Sequence, residues 1–144
     1  MTIAAILKHK GRNVRHVDPT IRIADVAAVL TSQNIGAVLV LDRAGSLLGI
    51  LSERDIVHEV AVSGAAALDK TAAQLMTSQV ITITPSTGIE EAMALMTAGR
   101  FRHLPVVDSG ALIGIVSIGD VVKRLIDDKS SEVDSLKAYV AGAA

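Results

Sequence analysis

The chain has 144 residues, half of them hydrophobic, and it contains no cysteine and no tryptophan. Its 14 basic and 15 acidic residues leave a net charge of −1, so no overall positive field draws it to nucleic acid or to an anionic membrane. No apolar stretch approaches the ~20 residues of a transmembrane helix, and the lack of cysteine excludes disulfides and thiolate metal sites.

The N-terminal segment carries the one basic run of the sequence. Residues 1–8 have no basic residue ahead of their short apolar stretch and no small-residue cleavage pattern, so we expect no secretory signal and a cytoplasmic protein. The basic run is interpreted as a solvated segment before the first strand, with a contact to a phosphate or to a partner as the alternative. Its members are Lys8, His9, Lys10, Arg12, Arg15 and His16.

A strand, a helix and a hairpin are predicted over residues 14–51. Val14–Val17 is predicted as a short strand, which Pro19 ends because proline cannot continue a strand ladder. Apolar residues at positions 23, 26, 27 and 30 have helical spacing and predict an amphipathic helix over 22–33. Two β-rich runs, 36–42 and 47–51, then flank a glycine turn, and a second helix follows. The order is β-α-β-β-α.

The same order returns after a segment rich in Ala, Gly and Ser, residues 62–70, which we interpret as a linker. The predicted elements are strands over Val80–Ile83, 102–108 and 112–116, a helix over 88–98 that buries Met93 and Met96, and a second helix. Ser131–Val140 is predicted as an appended C-terminal helix. Its apolar stripe favours a dimer contact and comprises Val133, Leu136, Tyr139 and Val140.

Aligned residues indicate an internal duplication. Pro19 and Pro85 are 66 residues apart, and the offset falls to 65 after one deletion in the second hairpin turn. Each repeat then has Gly-x-x-Ser-x-x-Asp at the end of a strand. The matching residues are Gly49, Ser52 and Asp55 in the first repeat and Gly114, Ser117 and Asp120 in the second.

Each Ser-x-x-Asp turn has a hydroxyl at a strand end and a carboxylate three residues later, where a helix begins. One interpretation is a helix cap, because Ser-x-x-Asp is close to a capping box. The other is a ligand site, since helix N–H groups and a hydroxyl suit anionic oxygens and a carboxylate suits the hydroxyls of a ribose. Duplication at equivalent positions favours the ligand site.

The duplicated pattern resembles a tandem pair of CBS domains (cystathionine-β-synthase type), also called a Bateman module, over about residues 4–127. The matching features are Leu75-Met76-Thr77, the proline-plus-helix element, the run from Phe101 to Asp108 and both Gly-x-x-Ser-x-x-Asp turns. The resemblance implies an α+β fold in which two repeats pair around a pseudo-twofold axis, plus a C-terminal helix. The expected boundaries are 1–63 for repeat one with the N-terminal segment, 64–71 for the linker, 72–128 for repeat two, and 129–144 for the C-terminal helix and tail.

The resemblance also implies two clefts for adenosyl ligands such as AMP, ATP, NAD or S-adenosylmethionine. Asp120 and Asp55 would bind ribose hydroxyls, and Ser117 and Ser52 would lie near ribose or phosphate. Each cleft would also include residues of the other repeat. The further residues of the Asp120 cleft would be Lys8, Asn13, Ile35, Gly36, Ala37, Arg102 and His103, and those of the Asp55 cleft would be Thr77, Gln79, Phe101, Arg102 and His103.

The two clefts are not expected to be equal. Repeat two has Arg102-His103 where repeat one has Gly36-Ala37, so only repeat two brings cationic groups to its middle strand. The Asp120 cleft is therefore predicted to be the better site for a phosphorylated ligand. The other histidines are scattered without metal-ligand spacing, and we expect no metal site.

The function that these features predict is regulatory. Adenine nucleotides would occupy the clefts of a homodimer, and the ligand-dependent arrangement would be signalled to an unknown effector protein. A mean hydropathy of +0.47 favours self-association. The alternative is a ligand-free dimeric interaction scaffold whose turns only cap helices. We expect no enzyme and no catalytic cofactor, because neither Ser52 nor Ser117 lies in a nucleophile-elbow sequence.

Overall fold

The computed structural model describes residues 1–11 and 13–142. The chain divides into two compact units: unit 1 comprises Met1–Arg12 with Thr82–Ala144, and unit 2 comprises Asn13–Ile81. Each unit contains most of one repeat, but the units do not follow the predicted boundaries. Residues 1–11, predicted with repeat one, lie in unit 1, and residues 72–81, predicted with repeat two, lie in unit 2. Arg12 of the basic run and residues 143–144 of the expected tail lie outside the described residues.

Unit 2 has a three-stranded sheet in which β1 (His16–Val17) is parallel to β2 (Ala37–Leu41), and β2 is antiparallel to β3 (Leu47–Ser52). Its helices are α2 (Ile23–Gln33), α3 (Glu53–Ser63), a short 3-10 helix (Gly64–Asp69) and α4 (Ala72–Leu75). The predicted helix over 22–33 is confirmed, and its apolar stripe is buried at Ile23, Val26 and Leu30.

The segment predicted as a linker, 62–70, is structured. It comprises the end of α3 and the 3-10 helix, in which Ala67 is fully buried. Lys70 closes this segment by pairing with Glu59 of α3. The small side chains that indicate a linker also permit close packing here, as the buried Ala67 shows.

Unit 1 has a two-stranded antiparallel sheet of β4 (His103–Asp108) and β5 (Ala111–Ser117). Its helices are α1 (Ile3–Lys10), α5 (Ile89–Gly99) and α6 (Ile118–Gly142). The strand predicted over Val80–Ile83 was too long, because only Ile83 makes a bridge, parallel to Val106. Two backbone hydrogen bonds hold it: the Ile83 amide donates to the Pro105 carbonyl at 3.0 Å, and the Val107 amide donates to the Ile83 carbonyl at 2.8 Å.

Both ends of the chain differ from expectation. Residues 3–10 form helix α1, for which no element is predicted, because Ile3, Ile6 and Leu7 share one helical face and are buried. Lys8, His9 and Lys10 of the basic run lie in its last turn and are exposed. At the other end, residues 131–140 are not a separate helix but the continuation of α6. No proline interrupts that stretch, so the helix begun at Ile118 runs on.

Each unit has its own hydrophobic core. The core of unit 1 unites α1, α5 and the hairpin, and it buries Met96 fully and Met93 partly, as predicted. The core of unit 2 lies between α2 and the sheet. The α+β class is confirmed. None of the helices in the described part of the chain has the length and apolarity that a membrane span requires.

Candidate ligand site at the duplicated turns

In unit 2, the turn between β3 and α3 forms a reciprocal helix cap. The Ser52 amide donates to Asp55 Oδ2 at 2.8 Å, and the Asp55 amide donates to Ser52 Oγ at 3.3 Å. The Ser52 hydroxyl also donates to Asp55 Oδ2 at 3.0 Å. On the neighbouring strand Ala37 pairs with Ser52, and the Gly36 carbonyl accepts the Glu53 amide at 3.0 Å.

In unit 1, the turn between β5 and α6 has the same geometry. The Ser117 amide donates to Asp120 Oδ2 at 2.8 Å, and the Asp120 amide donates to Ser117 Oγ at 3.2 Å. His103 pairs with Ser117, and the Arg102 carbonyl accepts the Ile118 amide at 2.8 Å. Arg102 and His103 thus occupy the positions that Gly36 and Ala37 occupy in unit 2, as the sequence alignment predicts.

The capping interpretation is therefore confirmed for both turns. Each cap satisfies backbone N–H groups that the first turn of a helix otherwise leaves without partners. A cap does not exclude a ligand, because Asp55 and Asp120 both remain partly exposed.

One ion pair distinguishes Asp120 from Asp55. Lys10, in the last turn of α1, donates from Nζ to Asp120 Oδ2 at 2.6 Å, with 34% and 26% of the two side chains exposed. The resemblance implies Lys8 near the adenine and sugar of this cleft, and that role stays a prediction. Two residues along an α-helix are rotated by about 200°, so Lys8 and Lys10 lie on nearly opposite faces of α1.

The Lys10 contact changes the acidity of Asp120. Desolvation by partial burial acts to raise the pKa of the carboxyl group, but the hydrogen bond and the charge of Lys10, together with the hydrogen bonds from Ser117, outweigh it. The pKa of Asp120 consequently lies below its ordinary value. This carboxylate is held ionised, with a cation beside it.

The glycine of each Gly-x-x-Ser-x-x-Asp motif allows another segment of its unit to pack closely against the strand. A Cβ atom at Gly114 would lie 2.7 Å from Leu7 Cδ2 of α1, and one at Gly49 would lie 2.6 Å from Met76 Sδ. Both glycines thus make room for a side chain from the segment that packs over the hairpin. In unit 1 that segment brings Lys10 to Asp120.

The sequence does contain a signal that places Lys10 at the end of a helix. Ile3, Ile6, Leu7 and Lys10 have the spacing i, i+3, i+4, i+7, which places the lysine at the end of a buried apolar stripe. The stripe is short, and it precedes the first repeat in the sequence while packing with the second.

The remaining predicted site residues divide between the units. Unit 1 brings Arg102, His103, Ser117 and Asp120 to one strand–helix junction, while the Phe101 ring packs over Gly99 and against the core. That residues of one repeat contribute to the cleft of the other repeat stays a prediction. The other predicted residues of the two clefts belong to unit 2, apart from Lys8 of α1: Asn13, Ile35, Gly36, Ala37, Ser52, Asp55, Thr77 and Gln79.

No three His, Asp or Glu side chains in the described part of the chain are grouped so that they could hold a metal ion.

Comparison with known proteins places the chain in a family. The family model of the CBS domain matches residues 10–62 and again residues 72–127. The chain belongs to the CBS-domain family. The two matches confirm the tandem CBS pair, with one strand–helix cap in each CBS domain.

Solved CBS proteins share this fold. A CBS-domain containing protein of Agrobacterium tumefaciens is 44% identical, with a TM-score of 0.83 over 85% of this chain and 91% of that one. CBSX2, solved in complex with AMP, is 30% identical, with a TM-score of 0.68 over 83% and 92% of the two chains. The CBS domain pair of protein MJ0100, solved with 5'-methylthioadenosine and S-adenosyl-L-methionine, is 25% identical, with a TM-score of 0.76 over 90% and 98%.

Proposed function

We propose that this CBS pair is a regulatory module that binds an adenosyl ligand at the Asp120 turn of unit 1 and has no enzymatic activity. The observation that carries the proposal is the meeting of an ionised, partly exposed carboxylate, a helix N-terminus and the ammonium of Lys10 at one junction. Two similar CBS structures hold AMP or S-adenosylmethionine, which supports the same class of ligand.

The proposed roles follow from the chemistry of each group. Asp120 accepts hydrogen bonds from the two ribose hydroxyls, and Ser117 lies next to the ribose or the phosphate. Arg102 and Lys10 supply positive charge for a phosphate, and a ring N–H of His103 and the first N–H groups of α6 can donate hydrogen bonds to it. A phosphorylated nucleoside, such as AMP, ATP or NAD, suits this set better than an uncharged one.

A second, weaker site is proposed at the Asp55 turn of unit 2. Asp55 and Ser52 repeat the ribose-binding pair, but Gly36 and Ala37 supply no charge in the positions of Arg102 and His103. The assignment of the other predicted residues to the two sites is part of this proposal. Signalling to an effector protein and a cytoplasmic location belong to it as well.

Calorimetric titration with AMP, ATP, NAD and S-adenosylmethionine tests the proposal. Asp120→Asn keeps the size of the side chain and removes its charge, and Asp55→Asn is the matched variant in the other repeat. We expect Asp120→Asn to weaken binding about 10- to 100-fold, the worth of a hydrogen bond to a charged group, and Asp55→Asn to weaken the same site much less. Equal binding by the wild type and both variants would contradict it.

The rival function is a ligand-free dimeric scaffold. The observation that favours it is that both carboxylates already serve as helix caps and Asp120 also binds Lys10. If the folded wild type releases no heat with any of the four ligands and its melting temperature does not rise, the scaffold is the correct function. At a ligand concentration 100 times its Kd, the adenosyl-binding function requires about 2.7 kcal/mol of stabilisation.

A further inference from the structure

Helix α6 carries an apolar stripe, from Val122 to Val140, that no described part of the chain covers. Val122, Ile126, Val133, Leu136 and Val140 are each at least 40% exposed. Their spacings of 4, 7, 3 and 4 residues follow a seven-residue repeat, with Ile126, Val133 and Val140 at the first position (a) and Val122 and Leu136 at the fourth (d). We call these five residues the α6 stripe.

The inward face of α6 ends well before the helix does. Val121 is buried and Leu125 packs on the core of unit 1. Asp128, which pairs with Arg124 of the same helix at 3.3 Å, is the last half-buried position. From residue 129 to residue 141 every position is exposed. A helical segment of this length has marginal stability in water unless its apolar face is covered.

We propose that the α6 stripe is covered by the α6 helix of a second copy of this chain, in a parallel, in-register, two-stranded coiled coil. Valine or isoleucine at the a position with leucine at the d position is the combination that favours parallel dimers. The stripe has β-branched residues at all three of its a positions and Leu136 at d.

The flanking charges select the parallel orientation. Glu132 precedes Val133 and is a g position, while Lys137 follows Leu136 and is an e position. In a parallel pair each g residue faces the e residue five positions later on the other helix, so Glu132 of each copy meets Lys137 of the other. Both pairs are then of opposite sign.

Lys129 is the one polar residue at a d position between Val122 and Leu136. Two lysines facing each other weaken the association, and a single polar core position also fixes register. We therefore expect a reversible dimer. This inference does not depend on ligand binding at Asp120.

Cross-linking tests the geometry directly, because the chain contains no cysteine. Leu136→Cys places one thiol on the stripe, and two d-position thiols face each other only in a parallel, in-register pair. Ala138→Cys, on the opposite face of the helix, is the control. We expect mild oxidation to convert most of the full-length Leu136→Cys protein to a covalent dimer and little of the Ala138→Cys protein. Equal cross-linking would overturn the proposal.

Sedimentation of the full chain tests the energetics. Val133→Asp places a charge in the stripe of each copy and should raise the dimer Kd at least about 100-fold, while Ser131→Asp, on the outer face, leaves it unchanged. Lys129→Leu should lower the Kd. If the wild type sediments as a monomer at all concentrations, or if Val133→Asp and Ser131→Asp behave alike, the stripe serves another partner and the proposal is wrong.

A charge exchange tests the orientation. Glu132→Lys and Lys137→Glu each create like-charge pairs in the parallel dimer and should weaken it several-fold. The double variant restores opposite charges and should recover the wild-type Kd. Absence of recovery in a double variant that keeps its helix content by circular dichroism would overturn the parallel pairing.

Discussion

Units 1 and 2 contain the same Ser-x-x-Asp cap, but a different segment packs against the hairpin that carries it. In unit 1 that segment is helix α1, whose Lys10 ammonium reaches Asp120. In unit 2 it is the end of α4 with Met76 and Thr77, and Thr77 exchanges backbone hydrogen bonds with Ile50. The duplication preserves the cap, whereas the charge beside it comes from a segment that is not repeated. A duplicated fold can thus carry two chemically different sites.

The largest expected difference concerns the two motif glycines. A Cβ atom at Gly49 would lie 2.8 Å from the Thr77 carbonyl oxygen. That oxygen accepts the Ile50 amide, and the Thr77 amide donates to the Ile50 carbonyl, so the Thr77 backbone is held in place. At Gly114 the Cβ would meet only the end of the Leu7 side chain, which can rotate. We expect Gly49→Ala to lower the free energy of unfolding by about 2–3 kcal/mol and Gly114→Ala by about 1 kcal/mol. Denaturant titrations measure both.

Equal losses for the two glycine variants would contradict this difference. They would mean that the Leu7 side chain is fixed as firmly as the Thr77 backbone, so that the two units hold their flanking segments equally tightly.

The next prediction concerns the cation beside Asp120. Lys10→Met should weaken AMP binding about tenfold relative to adenosine binding, since only AMP offers a phosphate to the missing ammonium. Lys8→Met, on the opposite face of α1, should leave that ratio unchanged. Titration calorimetry with both ligands measures the ratio. If Lys8→Met changed the ratio more than Lys10→Met, the cation beside the phosphate would be Lys8 and the prediction for Lys10 would be wrong.

Much of each unit could be predicted from the sequence, because its elements have local signals. The helical spacing of Ile23, Val26 and Leu30 locates α2 and its buried face. The duplicated Ser-x-x-Asp locates both caps, since a capping box depends on residues three apart.

What could not be predicted depends on long-range packing. Nothing near Ile3 in the sequence shows that α1 packs with β5, more than one hundred residues away, so Lys10 could not be matched with Asp120. The same limit applies to Ile83, which forms one isolated bridge to Val106 rather than a strand. The sequence pattern identifies β-forming residues but not how many of them find a partner.

Removing the serine of each cap should have a moderate and nearly equal effect. Ser52→Ala and Ser117→Ala each remove the acceptor of the Asp amide, which costs about 1 kcal/mol of unfolding free energy. Thermal unfolding measures both, with Ser131→Ala, exposed in α6, as the control. If either variant is as stable as the control, its cap contributes nothing.

The smallest expected effect is the acid sensitivity that Lys10 gives to unit 1. The pKa of Asp120 is lowered from 3.8 by folding, so its ionised form stabilises the native state above that value, and the stabilisation is lost as the pH falls through the lowered pKa. Between about pH 6 and about pH 3 the wild type should therefore lose more unfolding free energy than Lys10→Met, by less than about 1 kcal/mol, the usual worth of a partly exposed pair. Asp18 and Glu59 also have lowered pKa values, but they are present in both proteins and cancel in the difference. Lys8→Met should follow the wild type. Identical acid sensitivity in all three proteins would show that Lys10 does not act on Asp120 in solution, and the two capped carboxylates would then differ only through Arg102 and His103.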